Sequence, residues 1–159
     1  MTDRSVPPHA FAQRDVPWLI DAQAAQRGDK TFLVWEPVDG KSQTWTFSDY
    51  AAETRAYAAG LHARGIREGQ FFAIYLDNCP EYLLIWGALM RLGAVATLIN
   101  TRSTLEELSY FIGHSKAVGI IRMPRSRSSA RSTALRRRHL RAPLSVPDTL
   151  AALGKKTLE

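Results

Sequence analysis

This chain of 159 residues is short of several things, and each shortage excludes something. It has one cysteine, Cys79, which rules out an intrachain disulfide and a cysteine-built metal cluster. No two of its 10 glycines fall within three positions of each other, so no glycine-rich anion cradle is present. No two histidines stand at metal-ligand spacing. Aromatic residues stop at Phe111. The most apolar stretch, Tyr82 to Ile99, is interrupted by Arg91 and split by Gly87 and Gly93. A membrane span needs about 20 mostly apolar residues, so this stretch reads as a buried helix followed by a buried strand.

The net charge of +6 hides a break. Residues 1–121 hold 11 Lys+Arg and 13 Asp+Glu, a net of −2, whereas residues 122–159 hold 10 and 2, a net of +8. A segment with high charge and no aromatics buries too little apolar surface to offset its ordering entropy. Residues 122–159 are therefore expected to form a disordered, basic Arg/Ser-rich tail. Residues 1–14 are expected to be a mobile arm, with Pro7 and Pro8 opposing a helix. The N-terminus has no apolar core of a secretory signal, which leads to the expectation of a cytoplasmic protein.

Between these ends, residues 15–121 read as ordered elements. Asp15 caps a helix over Val16–Arg27, with Pro17 in its first turn and Gly28 at its end. Strands over Thr31–Trp35 and Ser42–Phe47 flank the turn signal Asp39-Gly40, giving a hairpin. Ser48 is read as the cap of a helix from Asp49 to about Arg64, with Tyr50, Thr54, Tyr57, Ala58 and Leu61 on one stripe. Thr54 offers that stripe only its methyl. Gly65 suits a left-handed C-cap. Phe71–Leu76, Ala94–Ile99 and Lys116–Ile121 read as strands buried on both faces. Helices from Pro80 to Leu92 and from Thr104 or Ser103 to about Gly113 separate them. Strands joined by single helices imply parallel pairing with right-handed crossovers. The expected fold is α/β, a partial doubly wound parallel sheet preceded by a β-hairpin.

The order of motifs resembles the N-terminal part of the AMP-forming, adenylate-forming acyl-CoA synthetases. Trp45-Thr46-Phe47-Ser48-Asp49-Tyr50 is similar to that family's first motif of aromatic, Thr, aromatic, cap and helix. Leu89 to Asn100, LMRLGAVATLIN, is similar to its helix end running through Gly into a strand. Asn100 and Arg102 match a common Asn-Pro-Arg, and Leu105-Glu106-Glu107-Leu108 matches the next helix. Asp77-Asn78-Cys79-Pro80-Glu81 resembles the carnitine- and fatty-acid-type CoA ligases. The likeness covers about Val16 to Ile121. Gln70 stands where Asp is usual, and Leu98 and Thr101 replace common prolines.

The resemblance implies a chemistry in which ATP and a carboxylic acid give an acyl-adenylate, from which CoA thiol displaces AMP. ATP, Mg and CoA are the cofactors it implies for intact relatives, in fatty acid metabolism. That chemistry needs a Ser/Thr/Gly-rich loop ending in Lys. The nearest stretch here, SRSSARST, has no glycine. No residue of this chain is therefore assigned a catalytic, cofactor-binding or metal role, and the chain is expected to be an inactive fragment.

Individual candidates read as structural. Cys79 precedes a helix and is read as a small filler rather than a nucleophile, since no histidine pairs with it. His62 is read as solvated and His114 as a complement to a helix C-terminus; His9 and His139 lie in the arm and the tail. Glu106 and Glu107 suit a first helical turn better than an acid pair. Tyr50, Tyr57 and Leu61 read as core rather than a ligand platform. Arg102 has two open readings, near a phosphate in an intact relative or packed over the following helix. Arg131, Arg136, Arg137, Arg138 and Arg141 lack interleaved aromatics, so no specific nucleic-acid binding is expected.

Three readings stay open. In one, the chain is a ligase fragment whose tail, rich in Arg, Ala, Ser and Pro, comes from a shifted reading frame. In another, a small α/β module holds nucleic acid or an acidic partner through that tail. In the third, the chain completes an active site with a second ligase piece. Uncovered apolar faces imply self-association.

Overall fold

The computed structural model describes residue 12 and residues 14–122. Apart from residues 12, 14 and 122, the expected arm and basic tail, with His9, His139, Arg131, Arg136, Arg137, Arg138 and Arg141, lie outside the described residues.

Helix α1 (Val16–Arg27) starts where Asp15 accepts a hydrogen bond from the Trp18 N–H at 2.7 Å, as expected of its cap. Strands β1 (Thr31–Trp35) and β2 (Gln43–Thr46) form the antiparallel hairpin. The hairpin packs on helix α2 (Phe47–Ala63) through Phe32, whose ring stacks on Tyr50 at 4.4 Å.

Thr46, not Ser48, caps α2. The Asp49 N–H donates to the Thr46 hydroxyl at 3.1 Å, and the Thr46 N–H donates to the Asp49 carboxylate at 3.0 Å. This reciprocal box satisfies two orphan donors where a Ser48 cap would satisfy one. It also draws Phe47 into the helix and shortens β2. Hydrogen bonds donated to the Asp49 carboxylate, first by the Thr46 N–H and then by the Thr46 hydroxyl, hold that carboxyl below its usual range. After α2 the chain reverses at Gly65, whose φ of +92° suits glycine.

Strand β3 (Phe71–Ile74), helix α3 (Pro80–Arg91), strand β4 (Val95–Leu98), helix α4 (Leu105–Ser115) and strand β5 (Gly119–Ile121) complete the described fold. The three strands are parallel in the order β4-β3-β5. The first crossover runs one way from β3 and the second runs back past it, so α3 and α4 fall on opposite faces. On one face Phe72, Ile74 and Ile121 pack with Leu61, Ile85 and Leu89. On the other, Ala73, Ile99 and Ala117 pack with Ile112.

The expectation of strands buried on both faces holds for β3 and largely for β5, whose Gly119 and Ile121 are buried, and fails for β4. Phe72, Ala73 and Ile74 of β3 are buried. On edge strand β4, Val95 and Leu98 are 41% and 47% exposed. Helix α4 begins at Thr104, again with a reciprocal box, here to Glu107 at 2.8 and 3.2 Å. It runs past Gly113 because Lys116, with φ of 54°, makes the left-handed exit. That exit uses Lys116 to Val118, which is why β5 begins at Gly119.

Helices α2 and α3 meet at Gly87. A Cβ there would lie 2.8 Å from both the Thr54 methyl and the Tyr50 hydroxyl oxygen, so only glycine permits this approach. The Tyr50 hydroxyl donates to the Leu83 carbonyl across the seam at 3.1 Å. Thr54, fully buried, does more than offer a methyl: its hydroxyl donates to the Ala51 carbonyl at 3.1 Å and accepts from Arg91 Nε at 2.9 Å. Arg91 then reaches Asp21 on α1, so the residue that interrupts the apolar stretch is a brace among three helices. No helix among the described residues is long and apolar enough to cross a membrane.

Candidate functional site

An open cleft of about 600 Å³ lies outside the carboxyl ends of β3 and β4. In open α/β sheets this is the edge where ligands bind, because the strands end there and the loops diverge. Leu76, Leu98 and Ile99 supply apolar wall. Asp77, Asn78 and Tyr82 come from the loop after β3 and from α3, and Asn100, Thr101 and Arg102 from the loop after β4.

Two bonds tie these loops together. The Tyr75 hydroxyl donates to the Thr101 carbonyl at 2.9 Å, and the Thr101 hydroxyl donates to the Asp77 carboxylate. The Asn100 side-chain oxygen accepts the Arg102 N–H at 2.9 Å, and its carbonyl accepts the Ser103 N–H at 3.0 Å, folding the second loop into a tight turn. The cleft edge thus presents one carboxylate, one guanidinium, two carboxamides and a phenol whose ionisation burial disfavours. Such a lip suits a polar ligand with hydrogen-bonding groups over an apolar body.

Of the residues weighed in the sequence, the structure brings Arg102 to this cleft, exposed at its rim. Asp77 and Thr101 were missed as a pair. Thr101 had drawn notice only for standing in place of a proline, and its partner lies 24 residues away.

The other candidates fall elsewhere. Cys79 sits half-buried before α3, and burial above all pushes its thiol up to about 11, so it is not a poised thiolate. His62 is exposed in the last turn of α2. His114 is exposed in the last turn of α4 and stacks on Tyr110 at 5.4 Å. Glu107 is the capping partner of Thr104, and Glu106 is exposed beside it. Tyr50 and Leu61 are buried core. Tyr57 packs against that core, and burial raises its phenol well above the ordinary value. Among the described residues no group of three His, Cys, Asp or Glu is placed to hold a metal ion.

Comparison with known proteins adds three findings. The family model described as AMP-binding enzyme matches residues 20–155. Crotonobetaine/carnitine–CoA ligase of Proteus mirabilis is 39% identical over 88 residues, which are 55% of this chain and 17% of that ligase. The enzyme of the same name from Salmonella paratyphi A is 34% identical over 98 residues, or 62% of this chain and 19% of the ligase. The matched region is thus under a fifth of the length of either relative.

Among solved structures, the N-terminal subdomain of Klebsiella oxytoca NpsA superposes with a TM-score of 0.65 at 23% identity, a likeness of fold alone. It covers 70% of this chain and 28% of that one. O-succinylbenzoate coenzyme A synthetase from Bacillus subtilis, solved in complex with AMP, gives a TM-score of 0.60 at 26% identity. That match covers 65% of this chain and 26% of the synthetase.

Proposed function

Because the chain belongs to the AMP-binding enzyme family, we propose that it is one part of the scaffold of an acid–CoA ligase and does not activate an acid alone. The supporting observation is the family match over residues 20–155, set beside the short share of each relative that this chain spans. In the complete enzyme of this reading, a carboxylic acid and ATP give an acyl-adenylate and pyrophosphate. The CoA thiol then releases AMP.

The ligases of Proteus mirabilis and Salmonella paratyphi A suggest a small polar acid of the carnitine class as the substrate. The cleft beyond β3 and β4 would form one wall of the complete ligand site. Arg102 and the two carboxamides, Asn78 and Asn100, would face a polar ligand there. Asp77 and Thr101 would hold the two loops in register.

The residues here do not fit a triphosphate. The cleft lining has one cation, Arg102, and one carboxylate, Asp77, and the sequence has no closely spaced glycines to aim backbone N–H groups at phosphates. ATP and CoA would be held by other parts of a complete ligase.

The test is acid-dependent ATP–pyrophosphate exchange by the purified chain, with carnitine, crotonobetaine and short- to long-chain fatty acids. The expected result is no exchange above a protein-free blank. Exchange with any of these acids would overturn the reading.

A further inference from the structure

Helix α1 is held differently from the rest of the molecule. None of its residues is buried, and Val16, Trp18 and Leu19 are 44%, 40% and 45% exposed. A helix of 12 residues is marginal in water alone, so its contacts must hold it.

Ile20, Ala22 and Ala24 give the helix a half-buried face toward α2 and α3, while its hydrogen bonds to other elements fall at two points. At its C-terminal end the Ser48 N–H donates to the Gly28 carbonyl at 3.1 Å and the Phe47 N–H donates to the Lys30 carbonyl at 3.0 Å. Gly28 lies so close to Ser48 that a Cβ on it would come within 2.5 Å of the Ser48 hydroxyl oxygen. This end is pinned by backbone.

The second point is Asp21. Its carboxylate accepts from Arg91 at 2.6 and 3.0 Å and from Arg55 at 2.7 Å. Arg91's side chain is 10% exposed, and its Nε is bonded to the fully buried Thr54. The helix therefore lies across a nearly buried cation and supplies its counter-charge. A nearly buried charge that loses its partner must regain water, and a movement of α1 would admit it.

We propose that α1 is a strap that opens as a unit about its pinned Gly28 end, latched by Asp21, and that opening uncovers the Arg91–Thr54 seam between α2 and α3. The charged groups facing Asp21 are Arg55 from α2 and Arg91 from α3. Both favour the closed strap while Asp21 is ionised.

The hydrogen bonds from Arg91, first of all, hold the Asp21 carboxyl below its usual range. A carboxyl lowered on closing contributes its full stabilisation above the ordinary carboxylate pKa and loses it as pH falls through the depressed value. The latch is thus closed at neutral pH and loosens in acid. Because the Asp21 side chain is 46% exposed, salt also weakens it.

Amide hydrogen exchange on the full-length chain tests this, with Asp21→Asn and Arg55→Ala beside the parent. Asp21→Asn should cost the amides of Val16–Arg27 about tenfold or more in protection while α2 and α3 keep theirs. Arg55→Ala, which leaves the Arg91 bonds in place, should cost α1 only about twofold. After correction for intrinsic rates, acid should loosen α1 in the parent and have no further effect in Asp21→Asn. Unchanged α1 protection in Asp21→Asn would overturn the proposal. So would joint loss of protection in α1, α2 and α3, and an Asp21→Asn chain that fails to fold counts with that outcome.

Discussion

The seam between α2 and α3 and the cleft beyond β3 and β4 use polar groups in opposite ways. In the seam, Ala51, Thr54, Ala88 and Leu89 have no exposure, and the polar atoms bond inward: Tyr50 to Leu83, Thr54 to Ala51 and Arg91. At the cleft, Asp77, Asn78, Asn100 and Arg102 are all exposed. Their bonds link one loop to another, or fold a single loop, without closing a core. Buried, inward-bonded polar groups and solvent-facing ones thus occupy separate regions. Cleft side chains can be removed at small cost to the fold, and seam side chains cannot.

Leu89→Ala should break the comparison's stable half. Leu89 is fully buried against Ile74 and Ile85, so truncation should cost about 2–5 kcal/mol through lost contact and a residual cavity. The urea-unfolding midpoint is the readout. Gly87→Ala should come next, at about 1–3 kcal/mol, because its methyl must push α3 away from Tyr50 and Thr54. Tyr50→Phe should cost about 0.5–1.5 kcal/mol by removing one hydrogen bond across the seam while keeping the ring on Phe32. Arg102→Ala, at the cleft rim, should change stability by less than about 0.5 kcal/mol. A cost for Arg102→Ala equal to that of Gly87→Ala would erase the distinction between the two regions.

How far the sequence announced this arrangement depended on how local the cause was. Pro80 at the start of α3, Asp39-Gly40 in the hairpin and the α1 boundaries all rest on neighbouring residues and were legible. Thr46 was legible in principle, since Thr-x-x-Asp is a capping pattern, but Ser48 competed for the same role. The exit of α4 was misplaced because Lys116 takes a left-handed conformation that glycine usually supplies.

Long-range polar pairs were not legible. Arg91 and Asp21 are 70 residues apart, and Tyr75 and Thr101 are 26 apart. Their meeting depends on helix packing and on the register of β3 with β4. For the same reason the sequence offered Arg102 as a candidate and not the Asp77–Thr101 clasp that shapes the cleft around it.

If this chain is a working piece of acid–CoA ligase scaffold, as proposed, it should serve inside a relative. The most direct measurement is acyl-CoA formation from carnitine or crotonobetaine by a chimaera. In it, residues 16–121 of this chain replace the structurally equivalent segment of the Proteus mirabilis ligase, a relative matched over 88 residues. The expected result is a folded chimaera that forms product, and that loses much of this activity on Arg102→Ala while its unfolding midpoint stays put. A chimaera that unfolds cooperatively yet forms no product would contradict it.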